Sequence, residues 1–345
     1  MDFRNSFYNI ISKSDKIVIT SHHSLDDDAI GSCMSMYQVL KEKYPSKVID
    51  MVISGQRLIK YKYFKFYKDI IFVNDFSEVI KKYDCLILLD GGQYARFTKL
   101  PEVISEYQKS TICIDHHKSP PDKFTLLYQD DKATSTCELI YKLVAKDSTF
   151  TTDLCESILL GILGDTDTFN FIKSNQLDVF STCRFLIEKG NINIQDFKSQ
   201  YDVIHPHIFE IIRILVNNLT YKSISKWPDF VFSQFPRSYL ESNHFTDDEI
   251  SEAAHLFMIH YLVKIQGFDW GLVITPKSDN SYSMSLRSLP SSVNVRTIVE
   301  KMGVGGGHDR AAGSNFKNTS SAEECLNKMF SWLESNTPET IEHGR

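Results

Sequence analysis

The chain has 345 residues, more than one compact core usually organises, so two domains are expected. Apolar residues at 42% and charged residues at 24% exclude a disordered chain, a collagen and a small disulfide scaffold, and no apolar run is long enough to span a bilayer. With 38 Lys and Arg against 44 Asp and Glu, the net charge of −6 argues against coating long duplex but allows a short anionic ligand in a local pocket.

In chain order, residues 1–16 lack the apolar core of a signal peptide. A buried strand is expected at 16–21 and a helix at 28–43 with Ile30, Met34, Tyr37 and Leu40 on its apolar face. Strands follow at 48–53, 85–89 and 111–114, with helical stretches at 76–82 and 101–107 between them. This alternation predicts an α/β fold: a parallel sheet covered by helices on both faces, with its sites at the carboxyl ends of the strands. Helices are expected at 136–146, 154–163, 176–189 and 208–219, with 191–218 read as a helical connector. Beyond it, strands at 230–235, 263–267, 271–275 and 282–287 surround a helix at 247–261. They suggest a smaller α+β domain with a mixed sheet and hairpin-like spacing at Gln266-Gly267. The expected division is 1–190, connector 191–218, second domain 219–336 and a frayed tail at 337–345. Seven scattered cysteines form no CxxC pair, which fits a reducing cytoplasm and neither a disulfide frame nor a zinc knuckle.

Acids and histidines gather just past predicted strands or apolar runs. His22-His23-Ser24-Leu25-Asp26-Asp27-Asp28 follows the first strand, Asp90-Gly91-Gly92 the strand at 85–89, Asp115-His116-His117 that at 111–114, and Gly164-Asp165-Thr166-Asp167 the apolar run at 158–163. Each has a plain reading. Asp26 to Asp28 suit a helix N-terminus, Asp90-Gly91 and Asp165 to Thr168 suit turns, and His23 suits a structural role. Together they crowd carboxylates at one sheet edge, where like charges force protonation unless cations compensate. A His and Asp donor set without thiolate favours manganese or magnesium over zinc.

The segments HHSLDDDAIGS, LLDGG, IDHH and GILGDTDTF resemble, in order, the four motifs of the DHH phosphoesterase superfamily. GGGHDRAAG is similar to the signature of the DHH-associated domain. The nanoRNase-like branch resembles it best; family II pyrophosphatases lack the GGGH segment. The resemblance implies that His22, Asp26 and Asp90 hold one Mn2+ and that Asp28, Asp90, His116 and Asp165 hold a second, with Mg2+ or Co2+ as substitutes. Two such ions about 4 Å apart share a hydroxide and neutralise the phosphoryl group. It further implies that Asp90 bridges, that His117 donates to a phosphate oxygen or leaving group, and that Asp115 fixes a histidine tautomer.

In the second domain, Gly305, Gly306 and Gly307 read as a tight turn exposing N–H groups to phosphate, with His308 and Arg287 as further donors. Arg96 matches a basic position of related enzymes and Ser135 lies in a segment near their site, although Ser135-Thr136-Cys137-Glu138 also has capping-box spacing. The chain departs from the family at Leu25, Asp27, Asp167 and Asp309. The implied activity is hydrolysis of short single-stranded RNA or DNA to 5′-mononucleotides, and of 3′-phosphoadenosine 5′-phosphate. The second reading is a phosphodiesterase for pApA or cyclic di-AMP, and the third a silent nucleotide sensor. The resemblance also implies a homodimer.

Overall fold

A computed structural model describes residues 2–144, 148–243, 245–317 and 319–341. The chain separates into two compact units, 1–203 and 204–345.

The first unit is built on six parallel strands: β1 Lys16–Ser21, β2 Val48–Ser54, β3 Ile70–Val73, β4 Cys85–Leu89, β5 Ser110–Asp115 and β6 Leu126–Gln129. Their order is β3-β2-β1-β4-β5-β6. The direction of winding therefore reverses between β1 and β4, and a crevice opens beyond the carboxyl ends of those two strands. Alternation sorts the strand side chains. Ile17, Ile19, Ile87 and Leu89 enter one core, while Val18, Leu86 and Leu88 enter the other. The first core is covered by α1 Phe3–Lys13, α2 Asp27–Lys43, α4 Thr136–Val144, α5 Thr152–Asp165 and α6 Asp178–Gly190. The second is covered by short turns and by α3 Glu102–Ser105.

The expected helix at 76–82 is two 3-10 turns, and that at 101–107 shrinks to α3. Asp75 explains part of this: its carboxylate accepts from Ser77, Thr98 and Lys99, so the segment is tied to a loop instead of propagating a helix. The helix expected at 136–146 runs to Val144, and its last two residues fall outside the described ones.

The segment read as a connector divides. Its first part forms α7 Ile194–Tyr201, whose Phe197 and Tyr201 pack on Phe64 of the first unit. Its second part forms α8 Pro206–Asn217, whose Ile208, Ile211, Ile212 and Leu215 share a core with Val231 and Phe257 of the second unit. The second unit is a six-stranded mixed sheet: β7 Thr220–Lys222, β8 Phe230–Gln234, β9 Trp270–Pro276, β10 Tyr282–Ser288, β11 Gly305–His308 and β12 Ala311–Phe316, in the order β11-β12-β10-β9-β8-β7. Strands β8 and β9 run parallel and the other neighbours antiparallel. α9 Arg237–Asn243, α10 Asp247–His260, α11 Val295–Lys301 and α12 Ala322–Ser335 complete it.

Three expectations are corrected here. Residues 263–267 form no strand: Leu262 is buried under α10 and the chain turns through Leu262–Lys264. Gly305 to Gly307 are not a tight turn but lie in edge strand β11, paired with β12. The tail does not fray at 337, because Thr340 bridges Val293, the Asn294 N–H donates to Glu339 O and the Ile341 N–H to Ser292 O.

Candidate active site

The strand register assembles the site. Ser21 pairs with Leu89, and Leu89 with Ile114, so the residues that follow these strands emerge side by side. His22 comes off β1, Asp90 off β4, and Asp115, His116 and His117 end or follow β5. Asp90 is buried and left-handed, at φ 60°. That conformation is uncommon outside glycine and is tolerated where surrounding bonds enforce it; here the Asp90 N–H donates to Ile114 O at 3.0 Å.

His22 Nε2 lies 3.0 Å from Asp90 Oδ2 and 3.5 Å from Asp26 Oδ2. On the other side, His116 Nε2 lies 2.9 Å from Asp165 Oδ2 and 3.5 Å from Asp90 Oδ1. Asp26, the N-cap of α2, accepts from the Ala29 N–H at 2.9 Å, so its capping role and its place beside His22 coexist. Asp28, in the first turn of α2, is fully buried and accepts from the Thr136 and Cys137 N–H groups at 2.6 and 2.9 Å. These amides open α4, and a helix N-terminus stabilises negative charge. Asp165 closes α5.

Helices α2 and α5 approach closely because Gly31 and Gly161 face each other's helices. A Cβ on Gly31 would lie 2.5 Å from Ser157 O, and one on Gly161 would lie 2.3 Å from Asp28 Oδ1.

Asp90, His116 and His117 cluster, and the two donor groups that the motifs imply both assemble, His22 with Asp26 and Asp90, and Asp28 with Asp90, His116 and Asp165; within each, one ligand atom per residue lies within 4.8 Å of the others. Asp90 belongs to both. Burial would lower the imidazole pKa values, but Asp26 and Asp90 hold His22 up at about 10, and Asp165, with Asp90 and Asp28, does the same for His116. Burial pushes Asp165 up to about 6, with His116 pulling the other way. Burial and the neighbouring carboxylates drive Asp28 well above its ordinary range. Asp90 is held below its ordinary range, because His22, His116 and His117 outweigh its burial. Without metal, therefore, the imidazoles serve as the counter-charges. Divalent cations fit the donor set: four carboxylates and two imidazoles converge, and no thiolate takes part.

His117 Nδ1 pairs with Asp115 Oδ1 at 2.7 Å, and Gln129 Nε2 reaches both Asp115 Oδ2 and His117 O. Thr136 Oγ1 donates to Asp90 Oδ1 at 3.1 Å. Gln129 carries no distinctive pattern as a polar residue at a strand end, and Thr136 reads in the sequence only as part of a capping segment. Ser135 is fully buried and accepts from the Glu138 N–H, a capping bond. Arg96 O accepts from both His23 N–H and His23 Nδ1, tying the loop after β1 to the turn after β4. Asp27 turns to Lys60 at 2.9 Å and Tyr61 at 2.6 Å. Asp167 lies in a left-handed turn with Thr168 and Phe169 and accepts from Asn170.

In the second unit, Arg287, Ala311 and His308 stand in one row across β10, β12 and β11, with Ser285, Gly313 and Gly306 in the next. Directly paired residues share a sheet face, so Arg287 and His308 project on the same side over small neighbours. Among the described residues no carboxylate pairs with Arg287, and burial lowers its pKa. Asp309 is held by Arg296 and Asn294, which sets the turn between β11 and β12.

Family models agree with this layout: the DHH family N-terminal domain matches residues 16–162 and the DHHA1 domain residues 237–335. The chain belongs to the DHH superfamily of phosphoesterases. The bifunctional oligoribonuclease and PAP phosphatase NrnA of Mycoplasma genitalium is 22% identical over 93% of this chain and 96% of its own. The cyclic-di-AMP phosphodiesterase GdpP of Bacillus subtilis is 23% identical over 91% of this chain but 47% of its own. Among solved structures, an exopolyphosphatase-related protein from Bacteroides fragilis superposes with a TM-score of 0.82 at 20% identity, covering 96% of each chain. Among the described residues of this DHH protein, no helix is long and apolar enough to cross a membrane.

Proposed function

We propose that this DHH phosphoesterase is a two-metal enzyme that hydrolyses short oligonucleotides to 5′-mononucleotides and also removes phosphate from 3′-phosphoadenosine 5′-phosphate. The observation that carries the reading is the position of Asp90, whose two oxygens face His22 on one side and His116 on the other. One carboxylate serving two donor groups suits a pair of ions better than one. His22, Asp26 and Asp90 would hold the first, and Asp28, Asp90, His116 and Asp165 the second, with Mn2+ as the expected metal. Such a pair lowers the pKa of water and neutralises charge developing on the phosphoryl group.

The chain's own residues do the rest. The α4 amides and Thr136 orient Asp28 and Asp90. Asp115 and Gln129 fix the His117 ring by Nδ1 and by its backbone, leaving Nε2 to pass a proton to the leaving oxygen. Arg287 and His308 would bind a phosphate of the substrate as charge-assisted donors, while Arg96 is assigned to the substrate by position alone. The near full-length match to NrnA supports short oligonucleotides. GdpP favours a cyclic dinucleotide as a second reading, but the chain spans about half of that protein. A cytoplasmic location is supported by seven scattered cysteines, all free.

The test is a timed digestion of two- to twenty-nucleotide RNA and DNA beside 3′-phosphoadenosine 5′-phosphate and cyclic di-AMP, with Mn2+ varied. Rates that fall steeply with length support the reading. Equal rates at all lengths, or turnover of the cyclic dinucleotide alone, would overturn it.

A further inference from the structure

A further group of ligand-type side chains lies within the second unit, outside the DHH motifs. His205 is the N-cap of α8, Pro206 begins that helix and His207 follows, while Glu249 is the third residue of α10. His207 Nδ1 is 3.0 Å from Glu249 Oε1. The two imidazole rings stand edge to face with centroids 5.1 Å apart, and one ligand atom from each of the three residues lies within 4.8 Å of the others.

Local structure holds each donor. Pro206 presets the backbone between the two histidines. The His207 ring is braced edge-on by Phe245 at 5.8 Å. Glu249 Oε2 accepts from the Thr246 N–H at 2.9 Å in a capping box, which leaves Oε1 directed at His207. The Thr246 and His207 bonds outweigh partial burial and keep this carboxyl below its ordinary range, so it stays ionised.

We propose that His205, His207 and Glu249 form a surface site for a borderline transition-metal ion, with Zn2+ as the expected occupant. Two imidazoles to one carboxylate, against one imidazole to two or three carboxylates in each catalytic group, make a nitrogen-rich three-donor set of the kind zinc takes with a fourth position left to water, whereas the oxygen-rich catalytic groups suit manganese or magnesium. Zinc bonds of about 2.0–2.1 Å place tetrahedral donors roughly 3.3 Å apart, and the His207–Glu249 spacing of 3.0 Å is close to that. His205 Nδ1 now accepts a long bond of 3.3 Å from the His207 N–H, and a metal at that nitrogen would replace it. The N-terminus of α8 disfavours a cation; Glu249, with Asp247 and Asp248 in the same first turn of α10, offsets this. The ion would pin the start of α8 to the start of α10.

The test uses the full chain, stripped of metal and dialysed against Zn2+, with bound metal counted. Wild type should bind one more Zn2+ than His207→Ala or Glu249→Gln, and either variant should weaken binding of that ion about tenfold or more, as losing even an orienting group does at other metal sites. Glu249→Gln retains an oxygen to accept from Thr246, so the cap survives. Zn2+ should raise the Tm of Asp90→Asn more than that of an Asp90→Asn/Glu249→Gln double variant, since the intact catalytic centre of a single Glu249→Gln chain can itself take the ion, and hydrolysis supported by Mn2+ should be equal in wild type and Glu249→Gln. Equal zinc counts and equal affinities in all chains would overturn the site. So would a lost zinc accompanied by lost hydrolysis, which would assign that ion to the catalytic centre.

Discussion

His22 and Asp90 are 68 residues apart in the chain, yet His22 Nε2 lies 3.0 Å from Asp90 Oδ2. The sheet brings them together. Ser21 and Leu89 are register partners on adjacent parallel strands, so the next residue of each emerges at the same level where the winding reverses. Asp90 also reaches across to the β5 side, with Oδ1 3.5 Å from both His116 and His117. It is the one acid common to the two donor groups of the DHH motifs.

Asp90→Asn should therefore weaken both metal positions at once and abolish turnover. Losing a group that merely orients a ligand typically costs roughly 10–100-fold in affinity, and a shared ligand should exceed that. Metal content by mass spectrometry and hydrolysis of a dinucleotide are the readouts. Near wild-type turnover with two bound ions would sink the assignment.

Metal uptake should release protons. Without metal, His22 and His116 titrate at about 10, so both are charged at pH 7, and ligation requires neutral imidazoles. Close to one proton from each should be released, and Asp165, at about 6, should add another below pH 7. Calorimetry in buffers of different ionisation enthalpy counts them. The raised histidines also set a stability trend. Their contribution is fully present below the unfolded value of about 6.5 and is lost as pH rises through about 10. Metal-free protein should thus lose Tm between pH 7 and 10, while the metal-loaded form should not show that loss. A buffer-independent binding heat at pH 7 would contradict this picture.

Much of this was legible in the sequence because parallel strands leave a simple signature. The strand at 85–89 is a continuous apolar run and that at 16–21 centres on β-branched Ile17, Val18, Ile19 and Thr20, each followed at once by a candidate ligand. The donors on helices were legible only as motif letters. That Asp28 is seated on the α4 amides and that Thr136 reaches Asp90 depends on packing between segments 108 and 46 residues apart, respectively, with no local trace. The glycines of β11 misled for a physical reason. Glycine is usually a turn residue, but here a Cβ on Gly305 would lie 2.0 Å from Gly313 O and one on Gly307 2.6 Å from Ala311 O, so close strand approach explains them. The acid at Asp27 reads as extra charge beside the metals, and the fold neutralises it with Lys60.

Arg287→Ala should act mainly on KM. Its guanidinium has small neighbours on the sheet face, shares a row with His308 and pairs with no carboxylate among the described residues. A hydrogen bond to a charged group contributes about 1.5–3 kcal/mol, which corresponds to roughly a 10–100-fold rise in KM. Turnover at saturation should change little. Steady-state kinetics on a 5′-phosphorylated dinucleotide decide, and an unchanged KM would remove the anchoring role.

Gly161→Ala gives a test in which the sign alone is informative. In an exposed helix interior, replacing glycine by alanine stabilises by about 1 kcal/mol. Here the new methyl would lie 2.3 Å from Asp28 Oδ1 and 2.4 Å from Cys137 Sγ. Asp28 cannot yield freely, because two α4 amides hold it, and α2 cannot withdraw without parting Gly31 from Ser157. Overpacking of this kind costs about 1–3 kcal/mol, so the variant should melt earlier than wild type. The shifted carboxylate should weaken binding of the ion that Asp28, His116 and Asp165 would hold more than that of the ion that His22 and Asp26 would hold. Cys137→Ala added to Gly161→Ala should restore part of the lost Tm, since it removes the collision with Sγ. A Tm at or above wild type, with both ions retained, would show that α2 and α5 are not packed as tightly as their glycines indicate.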